Sequence, residues 1–197
     1  MPINDDFSVS DAGIMHDALH KRISFTVLSS FSTLARVYIE RLESLGFHHD
    51  PDSPQCVLLD IPCSFALRTL ETKDPLVTAI RYIIITAGTS SEYFEELWEL
   101  GAHGILTKDH DEQHLIAMLV NAAQGERYQA VLGDASPLTA KERRIIRLLA
   151  EGHDLRVIAD RLNYSHQHVR NLTTIIYAKL GIANQREAML HYWGLND

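Results

Sequence analysis

Cysteine is nearly missing from this chain. Cys56 and Cys63 are the only two in 197 residues, too few for a disulfide framework. Long apolar runs are missing too, since nothing approaches the roughly 18–20 consecutive apolar residues of a membrane-spanning helix. The opening residues, "MPINDDFSVSDAG", have neither a basic start nor an apolar stretch and do not read as a secretory signal. There is no Gly-rich phosphate loop, no nucleophile–base arrangement and no Cys/His spacing of a zinc finger. These gaps point to a cytoplasmic protein that is not an enzyme, works by binding, and uses no metal, cofactor or membrane. His48, His49 and Asp50 are sequence neighbours, which rarely converge on one ion, and His103, His110 and His114 read as surface residues. Cys56 and Cys63 read as small apolar packing groups. What the chain does have is an ordinary globular composition, 46% apolar.

Positive charge is scarce in only one part of the chain. The net charge of −8 would argue against a nucleic-acid partner, but it is unevenly spread. Residues 138–197 carry 9 Lys/Arg against 6 Asp/Glu, whereas residues 1–137 carry 9 against 20. Such asymmetry suggests two modules with different partners, an acidic regulatory one and a mildly basic binding one.

The first 21 residues read as a polar extension with a short helical stretch around Ile14–Leu19. From there strand-like and helix-like segments alternate. "RISFTVLS" (22–29), "QCVLLDI" (55–61), "YIIITA" (82–87) and "HGILTK" (103–108) are strands by their β-branched content. Residues 32–46, 64–72, 90–100 and 111–126 have helical spacing. Alternation of this kind implies right-handed crossovers and a mostly parallel sheet, with the functional site at the carboxyl ends of the strands. Those ends carry Ser29, Ser30, Asp60, Thr86 and Lys108.

An Asp, a Thr and a Lys at successive strand ends, in "VLLDI", "IIITA" and "GAHGILTKD", resemble the receiver domain of two-component response regulators. The resemblance implies a flavodoxin-like fold in which the Asp accepts a phosphoryl group, the Thr hydroxyl follows it and the Lys pairs with it. Two departures mark it as a degenerate receiver. The family ends its first strand in an acidic pair that binds Mg²⁺, where this chain has Ser29 and Ser30; phosphoryl transfer needs the metal, and Mg²⁺ needs carboxylate oxygens. Only about ten residues separate Gly46 from Val57, too few for a βα unit with its turns, so a second strand can survive within "FHHDP" but its helix is lost.

The last third of the chain is a series of caps. Thr139 with Glu142 forms a capping box, Gly152 closes that helix, and Asp154 opens the next. Ser165 opens a third, Gly181 ends it, and Asn184 with Glu187 opens a fourth. "AEGHDLRVIADRLNYSHQHV" is a helix, a short turn and a second helix, the helix-turn-helix plan. With "LTAKE", "LLAEG", "IADRL", "HVR" and "AKLG", residues 138–193 resemble the DNA-binding domain of the NarL/FixJ/LuxR-type regulators. The expected organisation is therefore an extension (1–21), a degenerate receiver (22–126), a linker (127–137) and an all-α four-helix helix-turn-helix domain (138–197). The fold class is a truncated α/β receiver-like domain followed by an all-α domain.

Helical geometry picks out the reading face independently. Val169, Leu172, Ile176 and Leu180 form one inward stripe, which leaves Gln167, Arg170, Asn171, Thr174 and Ala178 outside. The resemblance places Arg170, Asn171 and Thr174 where the family reads base edges. Arg pairs with guanine, Asn with adenine, and Thr with a base or a thymine methyl. Ser165 at the helix start suits a phosphate, and Arg156, His166 and Lys179 are expected to hold the backbone. One strong cation on this face implies weak monomer binding, so a homodimer is expected through the receiver-like half. Its face is expected on helix 111–126, where Ile116, Val120 and Ala123 exceed what one core face needs. The leading reading is a dimeric, sequence-specific regulator of transcription that binds double-stranded DNA and answers a protein or small-molecule signal rather than phosphate. A phosphorylation-activated response regulator and an adaptor that titrates another regulator are the alternatives. A ligand-sensing amino-terminal domain like that of quorum sensors fits poorly with Asp60, Thr86 and Lys108. A nucleotide messenger on the receiver dimer stays open, with no motif for it.

Overall fold

Cys56–Asp60 and Arg81–Thr86 are nearly continuous apolar runs, as strands covered on both faces must be. In the computed structural model, which describes residues 22–72, 79–129 and 135–195, they are the two central strands of a parallel sheet. Its strands are β1 (Ser24–Ser29), β2 (His48–His49), β3 (Cys56–Asp60), β4 (Arg81–Thr86), β5 (Gly104–Thr107) and β6 (Tyr128–Gln129). They lie in the order β2-β1-β3-β4-β5-β6, all neighbours parallel. Side chains alternate between faces. Phe25, Val27, Cys56, Leu58, Ile83, Ile85 and Leu106 pack beneath α1 (Ser32–Ser44) and α4 (Glu112–Ala123). Val57, Leu59, Ile84 and Ile105 pack beneath α2 (Cys63–Thr72) and α3 (Ser91–Glu99). Cys56 lies wholly inside, and burial pushes its thiol up to about 12.

The loss of a helix between β2 and β3 is confirmed, and the register explains how the chain manages without one. Strand β2 pairs only with Ser24 and Phe25, at the start of β1, and β3 begins opposite the same Phe25. Because β2 climbs no further, residues 50–55 need only pass under the end of β1. They are tied there by Gln55 N donating to Ser24 O and by Asp50 Oδ1 accepting from Asp52 N and Ser53 N.

Two expectations shift. Strand β6 lies in the segment expected to be a linker, yet it pairs with β5, and Arg127 anchors it by donating to Ala102 O and lying over the Trp98 ring. The extension 1–21, with the helical stretch around Ile14–Leu19, and residues 130–134 lie outside the described residues. On α4, Ile116 is buried and Val120 and Ala123 pack against the core, so its apolar excess is used internally. The reason is that this one helix covers β3 to β6. The outward apolar patch is instead on α1, where Leu34 and Val37 stand exposed beside Phe31 while Tyr38, Ile39 and Leu42 face the core.

Residues 140–192 form the four expected helices, α5 (Ala140–Ala150), α6 (Leu155–Leu162), α7 (His166–Leu180) and α8 (Gln185–Tyr192). Every expected cap is present. Thr139 and Glu142 form a reciprocal capping box, and Asp154, Ser165 and Asn184 each accept from the first turn of their helix. Asn163, in the left-handed region, ends α6.

The two modules share one apolar cluster, from Leu59 and Tyr93 on the sheet side to Ile145, Val169 and Tyr192. Around it runs a charged seam. Arg147 donates to both oxygens of Glu71 (2.6 and 2.8 Å), to Glu96 (2.9 Å) and to Glu151. Arg143 pairs with Glu95 (2.6 Å) and Glu99. His191 Nε2 lies 2.8 Å from Glu92, Ser136 donates to the same carboxylate, and Tyr192 donates to Glu96. Burial works against the charge of Arg147, but its hydrogen bonds to the carboxylates prevail and raise its pKa; burial raises that of Glu96. At the seam's end, Gly194 adopts a φ of +66 against the loop after β4, where a Cβ would meet Thr89 N at 2.4 Å. Ser90 Oγ donates to Tyr192 O there.

Candidate nucleic-acid interface and receiver-like pocket

Helix α7 docks on its domain through Val169, Thr173 and Ile176, all buried, with Leu172 and Leu180 half-buried beside them. The stripe read from the sequence thus faces inward, and Thr173 joins it by returning its hydroxyl to Val169 O (2.9 Å). The opposite face is open. Gln167, Arg170, Asn171, Thr174 and Ala178 are all exposed, and the seam with the receiver-like module uses α5 and α8 rather than this face. The Gln167 amide donates to Asn171 Oδ1 (2.9 Å), which orients the Asn amide, and Thr174 donates to Arg170 O (3.2 Å). Among the described residues the Arg170 guanidinium has no acidic partner. Ile175, 45% exposed, flanks the face and was not anticipated; its apolar character hid it among core positions.

Of the residues expected at the phosphate backbone, Ser165 is the cap of α7, its oxygen taken by His168 N (3.1 Å). His166 is exposed at the same end, and Arg156 is exposed on α6. Lys179, expected at the backbone too, has a partner within the fold. Its ammonium lies 2.9 and 2.8 Å from the two oxygens of Glu142, the residue that closes the capping box of α5. Burial opposes ionisation of Glu142, but hydrogen bonds from Lys179 and Thr139 prevail and hold its carboxyl below the usual range. Lys179 therefore ties α7 to α5. Lys179→Ala is expected to cost about 1–3 kcal/mol of stability, by stripping one partner from a buried carboxylate, and to leave the salt dependence of DNA binding unchanged. Urea unfolding and a salt titration of binding separate the two effects.

At the carboxyl ends of the strands the structure brings Ser29, Asp60 and Lys108 together. Asp60 is buried; Lys108 Nζ lies 3.0 Å from its Oδ1, and Ser29 Oγ donates to its Oδ2 (3.2 Å). Ser30 lies exposed beside them and donates its backbone N–H to Asp60 O. Thr86 is buried but turned away, accepting from Gly88 N (2.9 Å) and lying 3.4 Å from Cys63 Sγ. Both Asp60 oxygens are engaged by protein, and the neighbouring donors are hydroxyls and an ammonium. Among the described residues no three His, Cys, Asp or Glu side chains converge to hold a metal ion. This donor set does not fit Mg²⁺, which selects carboxylate oxygens.

The sequence reading missed the charged seam. Its signal was Arg143 and Arg147 one helical turn apart within "ERRIIRLLA", close to the apolar Ile145, Ile146, Leu148 and Leu149.

Comparison with known proteins agrees with these two modules. The family described as bacterial regulatory proteins, luxR family, matches residues 136–192. The transcriptional regulatory protein DesR of Bacillus subtilis (strain 168) is 29% identical over 142 residues, covering 68% of this chain and 70% of DesR. YvfU of the same organism, an uncharacterised transcriptional regulatory protein, is 30% identical over 140 residues, again 68% of this chain and 70% of the relative. The fold is shared with RcsB in a structure of two dimers bound to two parallel DNAs, at 15% identity and a TM-score of 0.56 over 86% of this chain and 96% of RcsB. It is shared equally with RcsB of Salmonella enterica serovar Typhimurium bound to promoter rprA, at 14% identity and a TM-score of 0.55 over 86% and 97% of the two chains. With a helix-turn-helix module that carries an open polar face, joined to a receiver-like parallel sheet, the chain belongs to the NarL/FixJ/LuxR-type response regulators, DNA-binding regulators of transcription.

Proposed function

We propose that the chain binds operator DNA as a homodimer, in the cytoplasm, without phosphorylation of Asp60 and without catalysing a reaction. The observation that carries the reading is the open face of α7. An Arg, an oriented Asn and a Thr stand exposed there, positioned by a buried stripe and not engaged by the other module. Arg170, Asn171 and Thr174 read base edges, with Gln167 orienting Asn171; Ser165, His166 and Arg156 lie near the backbone. This face holds one strong cation, Arg170, so two copies are needed for affinity. Selection of genomic fragments by the purified full chain tests this. A motif with two-fold symmetry is expected, and its absence at low salt would favour the adaptor alternative. In domain terms, residues 22–129 form the receiver-like half and residues 138–195 the DNA-binding half.

The dimer face follows the exposed apolar groups, which lie on α1 rather than α4. Phe31, Leu34 and Val37 form a patch flanked by Arg36, Glu40 and the Arg41–Glu112 pair, whose Nη2–Oε1 distance is 2.7 Å. Val37→Glu, at a position 54% exposed, is expected to fold normally and to weaken dimerisation about tenfold or more. Light scattering at micromolar concentrations would show it, and an undiminished dimer would rule this face out.

The state of Asp60 has its own test. The family's chemistry relies on Mg²⁺ to neutralise charge on the transferred group, and Lys108 and Ser29 here satisfy a carboxylate without one. Acetyl phosphate with Mg²⁺ is expected to leave the intact mass of the protein unchanged. Ser29→Asp with Ser30→Asp should restore metal binding, so that a mass gain in this variant alone supports the reading. A stoichiometric phosphoryl adduct on the unaltered chain would return the conventional response regulator.

A further inference from the structure

Between the two modules lies a cleft of about 520 Å³, lined by Glu71, Glu96, Glu99 and Leu100 on the receiver side and by Lys141, Arg144, Arg161, Leu162 and Tyr164 on the DNA-binding side. A second hollow of about 320 Å³ adjoins it and shares Glu71, Arg144, Arg161 and Leu162. Arg144 and Arg161 therefore line both.

The two walls differ in what they have left to offer. The carboxylates are already engaged: Glu71 by two bonds from Arg147, Glu96 by Arg147 and Tyr192, and Glu99 by Arg143. The cations opposite are not. Among the described residues neither Lys141, Arg144 nor Arg161 has a side-chain hydrogen bond or ion pair, although Arg144 exerts a longer-range pull on Glu71. Guanidinium groups present planar forks of donors that match phosphate oxygens. Beside them stand Leu100, Leu162 and the half-buried Tyr164, whose ring is held edge-on by His168 at 5.1 Å between centroids. The volume is within the range of small-ligand sites.

The geometry points to this cleft as the binding site of a small ligand carrying two or more phosphoryl groups, held by Arg144 and Arg161 with Lys141. A DNA backbone is a poor occupant, because the Glu71 and Glu99 side chains, 35% and 51% exposed, rim the same opening and repel an extended polyanion. Because the walls come from different modules, the occupied cleft favours their closed arrangement, giving the chain an input that needs no phosphoryl transfer to Asp60. The site does not involve the open face of α7, and its test contains no DNA, so it stands or falls separately from the operator-binding reading.

Calorimetric titration of the full chain, at an ionic strength held constant with sodium chloride, tests it with inorganic pyrophosphate and ADP as probes. Saturable one-to-one binding in the submillimolar range is expected, together with a higher melting temperature. The double variant Arg144→Gln, Arg161→Gln should lose about tenfold or more in affinity and should melt as the unaltered chain does without ligand, because both side chains are exposed. Arg186→Gln, which removes an exposed cation outside the cleft, should bind normally. Equal affinity for the two probes would assign recognition to the phosphates alone; tighter ADP binding that Tyr164→Leu abolishes would add the base, and both outcomes support the site. Unsaturable heats, or a double variant that binds as the parent does, would overturn it.

Discussion

Arg147→Ala should destabilise the chain by about 3–5 kcal/mol, the cost of removing one partner from a buried charge network. The Arg147 side chain is 10% exposed and the Glu96 side chain 7%, so water cannot readily take the guanidinium's place. Glu96 would be left with Tyr192 as its donor, and Glu71 and Glu151 would be released towards solvent. Because Arg147 joins the modules, the variant is expected to lose their common unfolding as well. Urea denaturation followed by both tryptophans should change from one transition to two. Trp193 would report on the helical module, where it donates to Ala150 O, and Trp98 on α3. Adding Glu96→Gln should recover part of the loss, since an amide still accepts from Tyr192 and carries no unpaired charge. A single transition with a loss under about 1 kcal/mol, the scale of an exposed ion pair, would show that the seam does not hold the modules together.

The second large effect is on recognition. Arg170→Ala should cost about 1–3 kcal/mol of binding free energy per half-site and relax the preference at one base pair, as expected for a lost bidentate guanine contact. Its stability should be unchanged, because Arg170 is exposed and outside the stripe of Val169, Thr173 and Ile176. Arg156→Ala provides the contrast. A backbone contact there would weaken all sequences alike and lower the salt slope by about one unit per monomer. Repeating the genomic selection with each variant separates loss of specificity from loss of affinity. If Arg170→Ala keeps both, α7 does not read bases and the adaptor reading gains.

Much of the candidate interface was legible because its determinants are local. The caps Thr139, Asp154, Ser165 and Asn184 act on N–H groups two or three residues away, and the α7 stripe follows from the turn of a single helix. The central strands were legible for a related reason: strands buried on both faces must be apolar, as β3 is up to its terminal Asp60. The faces of α1 and α4 were not legible. Both helices have more apolar residues than one stripe, and which of them lie outside depends on how much sheet each helix must cover. Strand β6 widened the area under α4 and absorbed its surplus, while Leu34 and Val37 of α1 were left exposed.

The amino-acid order by itself determined the helices and the four longer strands, the helix caps, and which side of α7 is polar. Those outcomes rest on hydrogen bonds and spacings within one or two turns. Only the tertiary structure decided what each charge does. The basic excess after residue 138 read as a match for DNA, yet Arg143 and Arg147 face the acidic module and Lys179 faces Glu142. The partners of Arg147 and Tyr192 across the seam lie 51 to 96 positions away. No local periodicity encodes such a pairing; it exists because packing the apolar cluster brings the two helix surfaces together, and a charge that is then cut off from water must find its opposite there.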